Sequence, residues 1–521
     1  MRHLLILLIP ISFLNAAVSA QSVVHFAIDA QEDVRPISRL IYGVNQPIGM
    51  AWANATFLRF GGNRTTAYDW ITNASNAGSD YHFQNDDFFP GTTPGAAIAA
   101  VLKNAYDHDA AALITIPING YVSADEKADG DVHKSGLNYL QTRFRREEPA
   151  KDAPFALTPD PNAPVVYQDE FVNWVKTKYP YGQTDPNRPI FFELDNEPGI
   201  WAETHHEVHP QKVTYAELIQ KTIAYATAIK NVEPNTLIFG PENYGWNGYV
   251  TLQNAPDADG RDFQVFYLRQ LAKASAAAGK RLLDVLDIHW YPEATGGGVR
   301  IITEESKPDI VAARLQAPRS LWDPAYMETS WITKKTHRPI DLIPTLEKKI
   351  AENYPGTKLS ISEYNYGGGG DISGGIAEAD VLGIFGRTGV YAANEWPMLP
   401  NEPFAAGGFE MFRNFDGKNG SFGDTSVSAA TDDAPDTSIY ASTDSADPHR
   451  MVLIAINKTD HEIAANVHLG NNKSFTTGNV YQLTAASPRP VDAGRISFKD
   501  LANFTYTMPA YSVSTINLVS Q

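Results

Sequence analysis

The sequence contains no cysteine among its 521 residues. A chain without cysteine cannot form disulfides, bind a metal through thiolates or use a thiol nucleophile. It also cannot be anchored to a membrane through a lipidated cysteine. Its stability must therefore come from the packing of an apolar core, and 43% hydrophobic residues are enough to build one.

Positive charge is also scarce, with 42 Lys and Arg against 60 Asp and Glu, which gives a net charge of -18. An acidic protein is poorly suited to a phosphate backbone or to an anionic lipid surface. We therefore expect neither nucleic acid nor a membrane as a partner. A neutral polymer such as a glycan carries no such electrostatic penalty, and the 9 Trp and 24 Tyr could stack on sugar rings.

Long apolar runs are almost absent, and the one that stands out is at the N-terminus. Residues 4–14 are apolar and interrupted by Pro10, and Val18-Ser19-Ala20 resembles a cleavage site. This pattern predicts a signal peptide over residues 1–20 and a secreted protein, extracellular or periplasmic. An uncleaved membrane anchor is the alternative, but the run is short for a bilayer.

Eight short apolar runs follow, and most of them end in polar residues or glycine. They are residues 40–45, 57–63, 112–119, 190–197, 236–243, 285–292, 358–366 and 391–398. Helical patterns lie between several of them, as in residues 170–178, 215–231 and 265–279. The alternation predicts an α/β fold, a TIM-like (β/α)8 barrel, over residues 36–404.

The two ends of the chain have a different pattern. Residues 23–30 alternate apolar and polar side chains, and the chain beyond about residue 405 is rich in Thr, Ser, Val and turn residues. Alternation of period two with frequent turns is typical of a β-sandwich. We expect residues 21–35 and 405–521 to form this second, smaller domain.

Two of the predicted strands end in glutamate. The fourth leads into Asn196-Glu197-Pro198, and the seventh contains Glu363. Active sites of such barrels lie at the C-terminal ends of the strands, so the two carboxylates could face each other across the barrel mouth. A pair about 5–5.5 Å apart is what retaining glycoside hydrolysis requires. We predict Glu197 as acid/base and Glu363 as nucleophile, whereas each glutamate alone could be structural.

Other strand ends carry side chains that could support such a pair. Arg59 could keep Glu363 ionised or form an ordinary ion pair, and His289 and Tyr291 share one face of the sixth strand. Asn196 could bind a sugar 2-hydroxyl, and Trp396 could form a floor for the sugar or pack in the core. Further subsites could be built from Trp70, Trp201, Trp322 and Trp331, each of which could equally be a packing residue.

The metal content is unknown from the sequence. His205-His206-Glu207-Val208-His209 has the wrong spacing for a zincin helix, and we interpret it as a solvated loop. Residues 257–262 partly match a calcium loop but lack its closing glutamate. We expect catalysis to require no cofactor, and a structural calcium ion stays open.

Several longer stretches resemble glycoside hydrolase family 44, which contains endoglucanases and xyloglucanases. They are residues 59–64, 194–198, 286–293, 319–324, 362–367 and 411–420. The resemblance implies a TIM-like barrel with a β-sandwich, a retaining mechanism, Glu197 as acid/base and Glu363 as nucleophile. It also implies bound structural metal ions, and we see no added carbohydrate-binding module.

The combined expectation is a monomeric, secreted endo-β-1,4-glucanase acting on cellulose-type glucans and xyloglucan. An exo-acting or transglycosylating β-glycosidase would use the same carboxylates. A non-catalytic glycan-binding protein is a further alternative, although both glutamates are present. Which β-glucan is preferred is left open, because the room for branches depends on loop geometry.

Overall fold

Eight parallel strands close into a barrel in the computed structural model, which describes residues 22–45, 54–397, 402–471, 475–500 and 502–520. The strands are β1 (Gly43–Asn45), β2 (Phe57–Phe60), β3 (Ala111–Ile116), β4 (Ile190–Leu194), β5 (Ile238–Tyr244), β6 (Val285–Trp290), β7 (Lys358–Tyr364) and β8 (Ala392–Glu395). β8 pairs with β1 and closes the ring. Each strand lies within one of the eight predicted runs or extends one residue beyond it, so the predicted barrel is confirmed. The predicted signal peptide, residues 1–20, lies outside the described residues.

The barrel interior has an apolar layer at its base and a polar layer above it. Phe57, Phe191 and Phe239 belong to the apolar layer, which is buried together with Leu113 and Val285. Two residues further along these strands, the inward positions carry polar side chains, because alternate residues of a strand point to the same side. The buried polar layer contains Arg59, Thr115, Glu193, Asp287 and Ser362.

The helices that surround the barrel begin and end at recognisable capping residues. The helix Phe263–Ala278 begins after Asp262, whose carboxylate accepts a 3.0 Å hydrogen bond from the Val265 amide. It ends at Gly279, which has a left-handed backbone with φ of 65°. The longer helices are Ala96–Asp107, Gln168–Lys178, Tyr215–Val232, Phe263–Ala278, Pro308–Gln316, Leu342–Asn353, Ile372–Thr388 and Pro403–Arg413.

The second β-rich unit is a sandwich that shares one strand between its two layers. The strand Thr425–Thr431 pairs through its first residues with Thr437–Thr443 and through its last residues with Ser22–Asp29. The other strands are Arg35–Pro36, Arg450–Asn457, Ile463–Gly470, Phe475–Thr484, Ser487–Ser497, Asn503–Met508 and Ser512–Ser520. Side chains from both layers, such as Phe26, Leu453 and Phe504, form one buried core. The N-terminal strand therefore joins the C-terminal region, as the sequence pattern predicted.

The barrel and the sandwich are in contact through the helix Pro403–Arg413. This helix packs on the barrel helix Ile372–Thr388 on one side and on the strand Ser487–Ser497 on the other. Among the described residues, no helix combines the length and the apolar character needed to cross a membrane.

Candidate active site

A cavity of about 320 Å³ opens at the C-terminal ends of the barrel strands. Its walls carry two carboxylates that follow or end strands on opposite sides of the barrel, Glu197 after β4 and Glu363 in β7. The other lining residues are Gly62, Asn63, Asp80, Asn196, Tyr244, Tyr291, Arg300, Ile302 and Trp396. The location is the one where barrels of this type carry out their chemistry.

Glu197 is held in an unusual backbone conformation. Its φ is +46°, a left-handed value that costs free energy in a residue other than glycine. Pro198 follows at once and begins a short 3₁₀ turn, Pro198–Ile200. Such strain persists where the surrounding structure imposes it, and here it aims the side chain into the cavity instead of along the strand.

The two carboxylates are close neighbours. A carboxylate oxygen of Glu197 and one of Glu363 lie within 4.8 Å of each other and of an imidazole nitrogen of His289. The side chains are almost buried, with 8% of Glu197 and 6% of Glu363 exposed. The exposed fraction faces the cavity, so a ligand there would contact both.

Glu363 accepts a hydrogen bond on each oxygen. Nη1 of Arg59 donates to Oε1 over 2.7 Å, and the Tyr291 hydroxyl donates to Oε2 over 2.8 Å. Charge-assisted hydrogen bonds of this kind fix the orientation of a carboxyl group. Both oxygens of Glu363 are thereby held in place at the wall of the cavity.

Arg59 is fully buried and all of its nitrogens are engaged. Its Nε donates to both oxygens of Glu193 at 2.9 and 2.8 Å, and Nη1 also donates to Asn45. Nη2 donates to Oδ1 of Asn196 over 3.0 Å. Burial works against its charge, but Glu193, Glu363 and the neighbouring Glu242 outweigh it and raise the pKa of Arg59 well above its usual value. Because Arg59 is fully buried, it cannot contact a sugar directly; its role is beneath the carboxylates, where it contacts Glu363.

The environment of Glu197 is the opposite of that of Glu363. Burial raises the pKa of Glu197 to about 8, opposed by the charge of Arg59 and increased by that of Asp80. Its Oε1 lies 2.8 Å from Nδ1 of His289. Glu197 is therefore protonated at neutral pH and can serve as an acid.

His289 lies beneath both carboxylates and is fully buried. Burial lowers the pKa of His289 to about 4, so the imidazole is neutral at neutral pH. Its Nδ1 is also 3.4 Å from Oε2 of Glu363, and its Nε2 is 3.3 Å from Oε2 of Glu242. Because His289 is fully buried, it cannot contact a sugar directly, and its partners are the carboxylates.

Three buried acids of the barrel were missed in the sequence. Glu193 and Asp287 stand at inward positions of β4 and β6, two residues before Asp195 and His289, so strand alternation could have found them. Glu242 could not have been found in this way. It lies where the pairing of β5 with β6 shifts register, and its φ is +53°.

Within the part of the chain that the structure describes, two groups of buried donors have the spacing needed to hold a metal ion. They are Glu197, His289 and Glu363, and Glu242, Asp287 and His289. Arg59 contacts Glu363 at 2.7 Å and Glu242 at 3.5 Å and supplies the positive charge that an ion would supply. We therefore interpret both groups as hydrogen-bonded networks.

The other metal-like motifs have structural partners. His205 and Glu207 are buried and joined by a 2.8 Å hydrogen bond, which corrects the prediction of a solvated loop. Asp257 accepts hydrogen bonds from the first amides of the helix Tyr215–Val232, which makes it a capping residue. Neither motif is assigned to a metal.

The predicted tryptophan subsites divide between the cavity and the core. Trp396 lines the cavity. Trp70 has 1% exposure and stacks on Phe171, so no face is open to a sugar and the predicted subsite is wrong. Trp201 is equally buried, and its Nε1 donates to the carbonyl of Asn196 over 3.1 Å, which supports the cavity wall from behind.

The remaining two tryptophans lie away from the carboxylates. Trp322 packs under the guanidinium of Arg387 at 4.2 Å, beside sandwich residue Tyr440, so it belongs to the junction between the two units. This corrects its predicted role as a subsite. Trp331 is 38% exposed at the start of the helix Trp331–Thr336 and does not line the cavity.

A larger cavity, of about 910 Å³, lies at the opposite end of the barrel. It is lined by residues that precede β1 and β8, such as Ser38 and Tyr391, and Glu347 is the carboxylate in its wall. One carboxylate cannot supply the paired acid and nucleophile found at the other end.

Comparison with known proteins identifies the family of the chain. The model of glycoside hydrolase family 44 matches residues 74–294. Endoglucanase A of Paenibacillus lautus is 41% identical over 96% of this chain and 73% of its own length. A xyloglucanase of family 44 from Paenibacillus polymyxa, solved with xyloglucan, is 38% identical over 96% of this chain and all of its own, with a TM-score of 0.92. The chain belongs to glycoside hydrolase family 44.

A second solved relative of this family 44 glycoside hydrolase is an endoglucanase from Clostridium thermocellum. It is 42% identical over 95% of this chain and all of its own, with a TM-score of 0.89. A β-mannanase/endoglucanase A from Caldicellulosiruptor saccharolyticus is 37% identical, and the match spans 38% of that longer protein.

Proposed function

We propose that this protein is a secreted, retaining endo-β-1,4-glucanase that cuts internal bonds of cellulose-type glucans and xyloglucan. The observation that carries the proposal is the pair of carboxylates within 4.8 Å, one protonated by burial and the other held by Arg59 and Tyr291. Inverting enzymes separate their carboxyl groups by about 6.5–9.5 Å to leave room for a water molecule. The shorter separation favours direct attack by one carboxylate.

In the first step, an oxygen of Glu363 attacks the anomeric carbon as the glycosidic bond breaks. Glu197 transfers its proton to the departing oxygen, so the shortened chain leaves with a neutral hydroxyl. The product is a covalent glycosyl ester on Glu363. Arg59 and the Tyr291 hydroxyl remain beside the two oxygens of Glu363 and hold the ester in place.

In the second step, water attacks the same carbon from the face that the leaving group vacated. Glu197, now a carboxylate, takes a proton from the water, and the bond to Glu363 breaks. Glu363 returns as a carboxylate and Glu197 as an acid. The sugar is released with the configuration that it had in the polymer.

Two cavity residues are placed to bind the sugar. The Asn196 side chain is oriented by Arg59 on its oxygen and by Asn63 on its nitrogen at 3.1 Å, and it lines the cavity. An amide in this place can bond a 2-hydroxyl, an interaction that strengthens in the transition state. The Trp396 ring offers an apolar wall for a sugar face.

The substrate class is supported by the relatives. Solved family members are described as a xyloglucanase with xyloglucan and as an endoglucanase. In both cases the match covers the whole chain of the relative. We propose β-1,4-glucans with and without xylose branches as substrates. Residues 36–404 would form the catalytic barrel, and residues 21–35 and 405–521 the supporting sandwich.

The remaining parts of the proposal concern the protein as a whole. We propose export directed by residues 1–20, a monomer as the active form, and catalysis by the carboxylates without a cofactor. A structural calcium ion stays open. None of the described sandwich residues lines the cavity, and we propose that the sandwich is structural.

The test compares wild type, Glu197→Gln and Glu363→Gln on carboxymethyl-cellulose and on xyloglucan. Viscosity and reducing ends are followed together, and ¹H NMR follows the anomer that is released first. We expect a rapid viscosity fall and the β-anomer first in wild type. Loss of general acid–base catalysis lowers the rate by about 10²–10⁴-fold, and loss of the nucleophile by at least as much.

Glu378→Gln is the matched control. Glu378 is a buried carboxylate bonded to the Tyr364 hydroxyl at 2.9 Å and does not line the cavity, so its variant should retain cleavage. Near-normal activity in either catalytic variant would contradict the assignment of that glutamate. Slow viscosity loss with many reducing ends would indicate exo action, and release of the α-anomer first would exclude retention.

A further inference from the structure

A second pair of acids lies directly beneath the proposed catalytic pair. Glu242 of β5 and Asp287 of β6 are fully buried, and a carboxylate oxygen of each lies within 4.8 Å of the other and of an imidazole nitrogen of His289. Glu242 reaches this place through the register shift of β5 and a left-handed backbone with φ of +53°. Strain of this kind at a buried acid indicates a position imposed by the surrounding barrel.

The two oxygens of Glu242 have different surroundings. Oε2 accepts a 2.7 Å hydrogen bond from the Ser362 hydroxyl, and Arg59 Nη2 lies 3.5 Å away. Oε1 has no N–H or O–H donor among the described residues. The same is true of Oδ2 of Asp287, while its Oδ1 accepts from the Ser362 amide at 3.1 Å.

Two buried carboxylates this close would repel each other if both were ionised, and burial together with the charge of Asp287 raises the pKa of Glu242 well above its usual value, so the pair keeps a proton. The unpartnered atoms are Oε1 of Glu242 and Oδ2 of Asp287, so the proton of the pair belongs on one of them. This leaves Oε2 of Glu242 without a proton. It can then only accept hydrogen bonds, as it does from Ser362.

The partner at 3.3 Å from this oxygen is Nε2 of His289. Because the oxygen accepts, Nε2 must carry the hydrogen. A neutral imidazole has one N–H, so Nδ1 is left with a lone pair. Nδ1 lies 2.8 Å from Oε1 of Glu197, and this contact is a hydrogen bond only if Glu197 carries the proton.

Glu363 does not compete for this arrangement. Each of its oxygens already accepts a hydrogen bond, one from Arg59 and one from Tyr291. Its distance of 3.4 Å from Nδ1 of His289 is longer than the 2.8 Å of Glu197. The imidazole therefore acts on the acid and not on the nucleophile.

We propose that Glu242 and Asp287 are positioning residues that hold His289 in its Nε2–H tautomer. In this tautomer Nδ1 accepts a hydrogen bond from the carboxyl group of Glu197, which keeps this acid protonated for the first step. The inference rests on the proposed function, in which Glu197 is the acid/base. The same lone pair opposes the ionised form of Glu197 in the second step, which makes it a better base toward water.

Other charges also face Glu197 and must be kept constant in a test. They are Arg59, Asp80, Glu363, His289 and the hydroxyls of Tyr244, Tyr249 and Tyr291. None of these is changed by substitution of Glu242. Glu242 also lies 3.5 Å from Nη2 of Arg59, and both Glu242→Met and Glu242→Gln remove its charge, but only Glu242→Gln keeps an acceptor for His289. A difference between these two variants in the ionisation of Glu197 therefore reports on the imidazole.

Neutron diffraction from deuterium-exchanged crystals of the full enzyme tests the tautomer directly. We expect deuterium on Nε2 of His289, on Oε1 of Glu197 and on Oε1 of Glu242 or Oδ2 of Asp287, with none on Nδ1. Deuterium on Nδ1 would overturn the proposal. This result does not depend on turnover, so it is separate from a failure of the proposed function, which would appear as no cleavage of any β-glucan.

Kinetics test the consequence in solution. Glu242→Met removes the acceptor, so the imidazole can turn its N–H toward Glu197 and stabilise the ionised form. The alkaline limb of kcat/KM should move to lower pH by about one unit or more, the effect of one added favourable partner on a carboxylate. In Glu242→Gln the amide NH₂ replaces the proton of the pair and the carbonyl replaces Oε2, so the limb should return to its wild-type position.

Glu378→Gln again serves as the control for removal of a buried carboxylate, and its limb should not move. A merely structural role of Glu242 would lower kcat and the melting temperature of Glu242→Met without a shift of the limb, and this would contradict the proposal. If Glu242→Met does not fold, the neutron map and the pH profile of Glu242→Gln test the proposal. A shift of the alkaline limb of kcat/KM in Glu242→Gln would contradict the proposal.

Discussion

Nη1 of Arg59 lies 2.7 Å from Oε1 of Glu363, and neither side chain has more than 7% exposure. The contact joins β2 to β7, two strands on different sides of the barrel. Arg59 also binds Glu193 of β4, so one guanidinium connects three strands beneath the site. Its planar fork of donors, which lysine lacks, suits this role.

Arg59→Lys should therefore damage both activity and stability. Lysine cannot replace the bonds to Glu193, Asn45 and Asn196 together, and breaking a buried ion pair costs about 3–5 kcal/mol. We expect a lower melting temperature and a fall in kcat that exceeds any change in KM. Calorimetry and steady-state kinetics on a soluble glucan measure both. Arg188→Lys, at a partly exposed ion pair, is the control and should change neither the melting temperature nor kcat. Equal losses in both variants would contradict the role of Arg59.

The pH dependence should follow the protonation of Glu197. Burial raises its pKa to about 8, and the acid must hold its proton in the first step. The value of kcat/KM should therefore be lost as the pH rises through about 8. A profile measured across this range in wild type would show the limb. An alkaline limb that stays in place when an aryl glucoside with a good leaving group replaces the polymer would contradict its assignment to the acid.

The same shift should make Glu197 destabilising at neutral pH. The folded pKa lies above the ordinary value of 4.5, so the unfolded chain loses this proton first. The stability that protonated Glu197 contributes is complete below pH 4.5 and is lost as the pH rises toward 8. Glu197→Gln, which cannot ionise, should melt at a higher temperature than wild type at pH 8 and at a similar one at pH 4. An equal difference at both pH values would contradict this prediction.

The Tyr291 hydroxyl should matter for rate more than for binding. It donates to Oε2 of Glu363 over 2.8 Å, and a hydrogen bond to a charged group contributes about 1.5–3 kcal/mol. Tyr291→Phe should lower kcat by about 10–100-fold, with a smaller change in KM and an unchanged fold. Tyr225→Phe, which removes a hydroxyl bonded to Glu147 outside the cavity, is the control. Equal effects of both variants would show that Tyr291 acts through stability alone.

Gly62 should control the position of Trp396. A Cβ on Gly62 would lie 2.7 Å from the indole ring, and the φ of +94° already disfavours a side chain. Gly62→Ala should move the ring from the cavity wall and raise KM for polymers. Gly260→Ala has a left-handed φ of +72° with open space around it, so it separates backbone strain from the clash. A KM that rises equally in both variants would contradict a role for Trp396 in binding.

Much of this protein could be predicted from local pattern. The eight apolar runs, the sandwich strands and the positions of Glu197 and Glu363 at strand ends follow from side-chain periodicity, because a strand exposes alternate residues to one side. The signal peptide also rests on local composition, and it stays a prediction. These features need only neighbours along the chain.

The contacts across the barrel were decided by the tertiary structure. Whether Trp70 or Trp396 meets a ligand depends on which elements cover it, and one is buried while the other lines the cavity. The meeting of Glu242 with His289 depends on a register shift in β5, which no local pattern specifies. The sequence by itself determined which residues of the regular strand segments point inward. Which of them meet, and so which glutamate keeps its proton, was determined by the closure of eight strands into one barrel.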